Sequence, residues 1–315
     1  MEILQYLEAI QSADKSETGA TSFEIVHRKR KARVYHYLPE KSPCYKPPIL
    51  LVYALINKPY IFDLKPGESF VEFLTQKGFD VFLLDWWGIP PSDEDRDLSF
   101  YNLCDEYVDE AVRKITRITK TPEVTILGYC MGGTMSLIYT ALHPERVRNL
   151  ICLTTPFDFS KGGLFTHFTK DLDVEALVQT FDCIPNEFID FGATMAKPVS
   201  NLITPVRKLW EKRKSERYVE NWKAKHKWSH DGVAFPSKAY GEWIRDFYQE
   251  NKLSQGRLEV NGKRVDLGDV TCPTLIVSAE KDHITPVATT RDLHDHLGSD
   301  DITYRVFPVG RIAHP

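Results

Sequence analysis

A chain of 315 residues with 42% hydrophobic and 12% aromatic content holds enough apolar material for two average domains or one large α/β domain, which excludes extensive disorder. Forty Lys and Arg against forty-four Asp and Glu leave a formal charge of −4, so no global basic field gathers nucleic acid or an anionic membrane. The longest apolar run, Ile49 to Ile56, is far short of the roughly 20 residues that span a bilayer. The N-terminus lacks a basic n-region, an apolar h-region and a small-residue cleavage site, and a cytoplasmic location is expected. Six cysteines, at 44, 104, 130, 152, 183 and 272, form no CxxC pair and have no histidine at ligand spacing. Reduced thiols, no metal centre and no resident cofactor are expected.

In chain order, Ile3, Leu4, Leu7 and Ile10 recur at helical spacing, and the polar stretch from Ser12 to Thr21 closes that N-terminal helix. From Phe23 to Leu38 apolar and polar residues alternate around a Lys/Arg-rich middle, as in a half-exposed antiparallel hairpin. Short apolar runs follow at Ile49 to Tyr53, Phe79 to Leu84, Val124 to Leu127, Leu150 to Leu153, Leu275 to Val277 and Tyr304 to Phe307. Helix-length amphipathic stretches separate them at Glu68 to Lys77, Tyr101 to Thr116, Thr134 to Leu142 and Val287 to Leu297. Strands alternating with helices of this length imply crossover units, and so a doubly wound, mostly parallel sheet with helices on both faces.

Between 156 and 270 the alternation stops and aromatic, charged helical sequence takes over. Residues 1–22 then form an N-terminal helix and linker, 23–155 and 271–315 an α/β core, and 156–270 a helical cap inserted between two strands. Within the cap, Arg207 to Lys227 carries nine Lys and Arg against three Glu, the pattern of a solvated helix face with i,i+4 pairs. A landing patch for phosphates or a partner is the other reading of the same run.

The sharpest chemical signal is Gly128-Tyr129-Cys130-Met131-Gly132-Gly133, between the run ending at Leu127 and the helix at Thr134. It is the strand–turn–helix nucleophile elbow G-x-S-x-G, with cysteine as the nucleophile. Such a side chain is presented only by a strained backbone, and the glycines leave room for neighbouring strand and helix. At a helix N-terminus a thiol's pKa falls, and the Met131 N–H becomes available to an oxyanion. The second oxyanion donor is expected in the loop after the run Ile49 to Tyr53, at the Ile56 N–H.

In this fold the orienting acid and the base follow the nucleophile in chain order. The run Leu275 to Val277 leads into Ser278-Ala279-Glu280-Lys281-Asp282-His283, making Asp282 the acid, with His283 beside it and pointing elsewhere. The base is expected after Tyr304 to Phe307, where the chain reads Pro308-Val309-Gly310-Arg311-Ile312-Ala313-His314-Pro315. The expected position holds Arg311, whose guanidinium stays protonated and cannot act as a base near neutral pH. His314 is the other candidate there.

The chain resembles the polyhydroxyalkanoate synthases of the short, two-component kind (class III or IV), members of the α/β-hydrolase superfamily. The resemblance runs from about Phe23 to Gly310. It is carried by Leu55-Ile56-Asn57-Lys58-Pro59-Tyr60-Ile61, Leu84-Asp85-Trp86, Gly128 to Gly133, Pro156-Phe157-Asp158-Phe159, Ile244-Arg245-Asp246-Phe247-Tyr248 and Lys281-Asp282-His283. It implies an acyltransferase that carries a growing polyester as a thioester on Cys130, supported by Asp282, with a 3-hydroxyacyl-CoA as substrate. The family histidine falls on Arg311, and the final helix with which the family continues is missing, so impaired turnover is expected. A small partner subunit, a polyester granule surface and a homodimer or hetero-oligomer are the partners implied. A cysteine-type hydrolase or thioesterase, or an inactive granule-binding homologue, are the alternatives.

Overall fold

The structure is a computed structural model, and it describes residues 8–39, 42–196 and 202–309. Its centre is an eight-stranded sheet of β1 (Phe23–Lys29), β2 (Ala32–Tyr37), β3 (Ile49–Val52), β4 (Val81–Asp85), β5 (Val124–Tyr129), β6 (Val147–Leu153) and, after the insertion, β11 (Thr274–Ala279) and β12 (Ile302–Phe307). The strand order is β1-β2-β4-β3-β5-β6-β11-β12. β1 pairs antiparallel with β2, and β2 antiparallel with β4, while every pairing from β4 to β12 is parallel. The expected hairpin therefore forms the antiparallel edge. Its tight turn is closed by Arg30 in the left-handed region at φ 50°.

Burial follows from this order. Every residue of β3, β4 and β5 is buried, as expected for parallel strands covered on both faces, and these are the runs that read as unbroken apolar sequence. The helices packed on them are α1 (Phe70–Gln76), α2 (Val108–Thr119, entered through a π turn at Leu103–Tyr107) and α3 (Met131–Leu142). Toward β12 the cover thins, and Val306 and Phe307 are exposed. There an apolar trough of about 1070 Å³ runs along one face of the sheet, floored by Leu127, Ile151, Leu153, Leu275, Val277 and Phe307.

One expected helix is absent. The stretch Val287 to Leu297 forms two 3₁₀ turns, Val287–Thr289 and Arg291–Asp295. The Thr289 and Thr290 hydroxyls bond back to the carbonyls of Pro286 and Val287 at 2.8 and 3.1 Å. The Thr289 carbonyl is taken by the N–H groups of Phe157 and Asp158 at 3.0 and 2.9 Å. Hydroxyls competing for local carbonyls and a carbonyl claimed from outside leave no i→i−4 ladder to propagate. At the N-terminus the described chain enters in a helical turn that ends in a 3₁₀ turn at Ala13–Lys15, and Ala9 and Ala13 pack with Leu209 and Trp222. Ile3, Leu4 and Leu7 lie outside the described residues.

The segment between β6 and β11 contains α4 (Gly163–Lys170), α5 (Val174–Thr180), α6 (Asn186–Ala196), α7 (Thr204–Glu211), α8 (Glu216–His230) and α9 (Ser237–Glu242), the last running on through a π turn at Trp243–Gln249. It also holds two small antiparallel ladders, β7 (Cys183–Ile184) with β8 (Phe235–Pro236) and β9 (Glu259–Val260) with β10 (Lys263–Arg264). Its aromatic residues divide into two populations. Phe159, Trp243 and Phe247 are buried in the main core, the latter two against Phe100, with neighbouring ring centroids 4.7 to 5.4 Å apart. Phe168 on α4 and Phe191 on α6 are 52% and 66% exposed. The basic run on α7 and α8 spends several of its charges locally, in pairs such as Lys223–Glu220 at 2.8 Å and Arg217–Glu68 at 2.8 Å.

Candidate active site

Cys130 sits between β5 and α3 with φ 54° and ψ −123°, the strained turn that an elbow requires. The crowding around it accounts for the glycines. A Cβ on Gly128 would lie 2.5 Å from the Gly133 Cα, and one on Gly132 would lie 2.7 Å from the carbonyl carbon and Cα of Tyr53 and closer still to the Val52 carbonyl oxygen. One on Gly133 would overlap the Thr155 hydroxyl. The elbow is thereby wedged between β3, its own helix and the strand-end loop after β6. Its backbone N–H donates to the Leu153 carbonyl at 2.9 Å.

Met131 opens α3, and the first N–H groups of a helix have no intrahelical partner. Ile56 lies in the loop after β3, and the pairing of Val52 with Gly128 brings that loop level with the elbow. The peptide planes of this loop are fixed from outside. The Trp86 indole donates to the Tyr53 carbonyl at 2.8 Å, and the Trp87 indole to the Leu55 carbonyl at 2.7 Å. The Val233 N–H donates to the Ile56 carbonyl at 3.1 Å, and the Trp228 indole to the Lys58 carbonyl at 2.8 Å. With its carbonyls turned to these donors, the Ile56 N–H makes no hydrogen bond among the described residues.

Asp282 lies three residues beyond β11, which is two strands from β5 in the sheet. It is buried, and its Oδ1 accepts from the Ile284 and Thr285 N–H groups at 2.9 and 3.0 Å. The carboxylate therefore shapes its own turn. That turn carries Thr285 to the elbow, with its hydroxyl 3.9 Å from Cys130 Sγ. His283 is half-buried in the same loop. Arg311 and His314, the two positions considered for the base, lie outside the described residues.

Sequence reasoning missed three residues of this neighbourhood. Thr285, just after the expected acid, brings its hydroxyl to Cys130. Tyr248 has its hydroxyl pKa pushed well up by burial, with Cys130 among its electrostatic neighbours. Trp228 reaches Lys58 across a separation of 170 residues, which no local pattern encodes. None of the six cysteines is in a disulfide. Burial pushes the Cys152 thiol up to about 12 and the Cys183 thiol to about 11. Among the described residues no cluster of His, Cys, Asp and Glu is arranged to hold a metal ion, and no helix is long and apolar enough to cross a membrane.

A mostly parallel eight-stranded sheet with Cys130 on a strained turn after β5 defines an α/β-hydrolase-fold protein with cysteine at the elbow. The alpha/beta hydrolase fold family matches residues 47–315. Among solved structures, a hydrolase from Pseudomonas aeruginosa is similar at a TM-score of 0.54 and 18% identity, covering 94% of this chain and 92% of that one. The thioesterase domain from the curacin biosynthetic pathway is similar at 0.52 and 13%, covering 93% and 94%.

Sequence comparison narrows the class. The family "Poly-beta-hydroxybutyrate polymerase (PhaC) N-terminus" matches residues 15–74. The poly(3-hydroxyalkanoate) polymerase subunit PhaC of Allochromatium vinosum is 33% identical over 98% of this chain and 87% of its own length. That of Synechocystis is 32% identical over 98% and 84%, and that of Haloferax mediterranei 36% over 92% and 60%. The chain belongs to the PhaC poly(3-hydroxyalkanoate) polymerase family. It spans 60% and 66% of the lengths of the two haloarchaeal relatives that it matches.

Proposed function

We propose that this chain is the catalytic subunit of a poly(3-hydroxyalkanoate) polymerase, taking 3-hydroxyacyl groups from CoA thioesters through a thioester on Cys130. The observation that carries the reading is the cysteine at the strained elbow, within a chain of this family. The Cys130 thiolate attacks the thioester carbonyl, and the tetrahedral oxyanion is held by the Met131 and Ile56 N–H groups. Collapse expels the CoA thiolate and leaves acyl-Cys130. The hydroxyl of another 3-hydroxyacyl unit then attacks that thioester, the ester bond forming as the C–S bond breaks and the hydroxyl proton passing to the departing Cys130 sulfur. Thioester exchange conserves the energy of the bond, which is why a thiol suits this donor.

Asp282 shapes the turn that brings Thr285 to Cys130. Arg311, where the family has histidine, carries a guanidinium that accepts no proton from the attacking hydroxyl, so acylation outlasts polymerisation in this chain. Exposed apolar side chains on α4 and α6, Phe168 and Phe191 among them, support contact with a polyester granule in the cytoplasm. A small partner subunit completes the assembly, as hetero-oligomer or homodimer. The reaction needs no metal or resident cofactor.

The test is incubation with 3-hydroxybutyryl-CoA. Release of CoA with an acyl adduct on Cys130 and insoluble polyester supports the reading. Soluble 3-hydroxybutyrate as the main product would make the chain a thioesterase, and no adduct at all would make it an inactive homologue.

A further inference from the structure

Helix α8 of the inserted segment ends against the loop that carries Ile56. Within six residues, 228 to 233, it makes four hydrogen bonds to residues 56 to 60. The Trp228 indole donates to the Lys58 carbonyl at 2.8 Å and the Val233 N–H to the Ile56 carbonyl at 3.1 Å. Both oxygens of Asp231 are used: Oδ1 accepts from Lys58 Nζ at 2.6 Å, and Oδ2 from the Tyr60 hydroxyl at 3.0 Å.

On the side of the sheet, the same loop is fixed at Tyr53 and Leu55 by the indoles of Trp86 and Trp87. Those residues follow β4 directly and belong to the rigid core. Beyond Ile56 the loop returns to the sheet at Phe62, whose ring packs on Tyr129 of β5 with centroids 5.9 Å apart. Between these two points Lys58 and Tyr60 are held by the inserted segment, 170 or more residues along the chain.

We propose that Asp231 is a positioning residue for acyl transfer: by clamping Lys58 and Tyr60 it steadies the loop that presents the Ile56 N–H to the oxyanion formed at Cys130. The inference rests on the proposed role of Ile56 as oxyanion donor. It adds that this donor is held from two sides, its own peptide plane by the Trp87 indole on the Leu55 carbonyl and the peptides that follow by the end of α8, so that undocking of the inserted segment loosens the oxyanion site as well as access to it. An exposed ion pair contributes little to stability. The value of this one is directional, because two bonds from one carboxylate fix a short loop better than either alone.

Two small probes separate this role from a merely structural one. Iodoacetamide alkylates Cys130 by direct displacement with no tetrahedral oxyanion, whereas p-nitrophenyl acetate acylates it through one. In Asp231→Asn and Lys58→Met, alkylation is expected to stay within about twofold of the unmodified chain, while acylation falls about 10- to 100-fold. The double variant should lose no more than either single one, and Asp231→Glu should recover part of the loss. Hydrogen exchange over residues 55 to 60 should quicken in Asp231→Asn. Equal losses in both reactions would mean a general disturbance of the elbow, and unchanged acylation with unchanged exchange would mean that Asp231 holds nothing; either result overturns the proposal. Neither probe uses CoA. A chain that ignores 3-hydroxybutyryl-CoA but obeys this pattern therefore refutes the polymerase reading and leaves the positioning role standing.

Discussion

Replacing Gly132 with alanine should damage acyl transfer more than it damages the fold. The added methyl would stand 2.7 Å from the backbone of Tyr53, where ordinary contact begins at 3.4 Å, and nearer still to the Val52 carbonyl. All of these are backbone atoms, so no side chain can swing aside. Either α3 or the end of β3 must yield by about 0.7 Å, and the end of β3 leads straight into the loop of Ile56. Overpacking of this size costs about 1–3 kcal/mol, which a urea midpoint would register without loss of the folded state. A displacement near 1 Å between a nucleophile and its stabilising donors costs up to about 100-fold in rate. The burst of CoA released on mixing with 3-hydroxybutyryl-CoA should fall 10- to 100-fold, while iodoacetamide still alkylates Cys130. A variant with lowered stability and an unchanged burst would refute the argument that the loop is placed by its contact with the elbow.

Cys130→Ala should form no acyl adduct in a mass-spectrometric trap, and Cys130→Ser should be slowed severely because the serine hydroxyl has a far higher pKa. Brief iodoacetamide treatment at neutral pH should label Cys130 and spare Cys104 and Cys152, whose thiols burial pushes up; equal labelling would contradict the packed sheet. Arg311→His should speed polymerisation more than acylation, approaching the roughly 10²–10⁴-fold that a general base contributes, and no change in the polyester rate would remove position 311 from the mechanism. Burial raises the pKa of Glu242, against the opposing bonds from Ser99 and the Phe100 N–H. Its contribution is thus fully present below the usual glutamate value and is lost as pH rises through the raised one. Glu242→Gln should flatten the acid side of the stability profile and gain on the parent as pH rises, as measured by urea midpoints from pH 4 to 8.

The elbow was readable because its information is local. Three glycines, a cysteine and a strand-to-helix change of period all fall within ten residues, and each glycine proves to face a backbone or a short side chain that a methyl would strike. The strands were readable for a related reason: burial on both faces demands unbroken apolar runs, and β3, β4 and β5 are such runs. The stretch after Pro286 was misread as a helix because its apolar spacing is helical. What unmakes it is a carbonyl claimed by Phe157 and Asp158, residues 130 positions earlier. The loop after β3 is the opposite extreme. Its sequence marks a position and not a backbone course, which is fixed where the indoles of Trp86, Trp87 and Trp228 take the carbonyls of Tyr53, Leu55 and Lys58. Tryptophan reads as core material; where its one polar atom points is decided only by the finished fold.

The trough beside β12 bears on calorimetry. The heat capacity and denaturant dependence of unfolding measure the apolar surface that water gains when the chain opens. In the described residues, Leu127, Ile151, Leu275 and Phe307 already border a furrow of about 1070 Å³ in the native state. Those walls add little when the chain melts. At ~0.45 cal/mol/K per Å² of apolar surface, the heat capacity increment should be lower by about 0.1 kcal/mol/K than that of the same chain with the furrow filled, with a urea slope shallower in proportion. Filling the furrow with any apolar ligand that binds the folded form should restore both while raising the melting temperature.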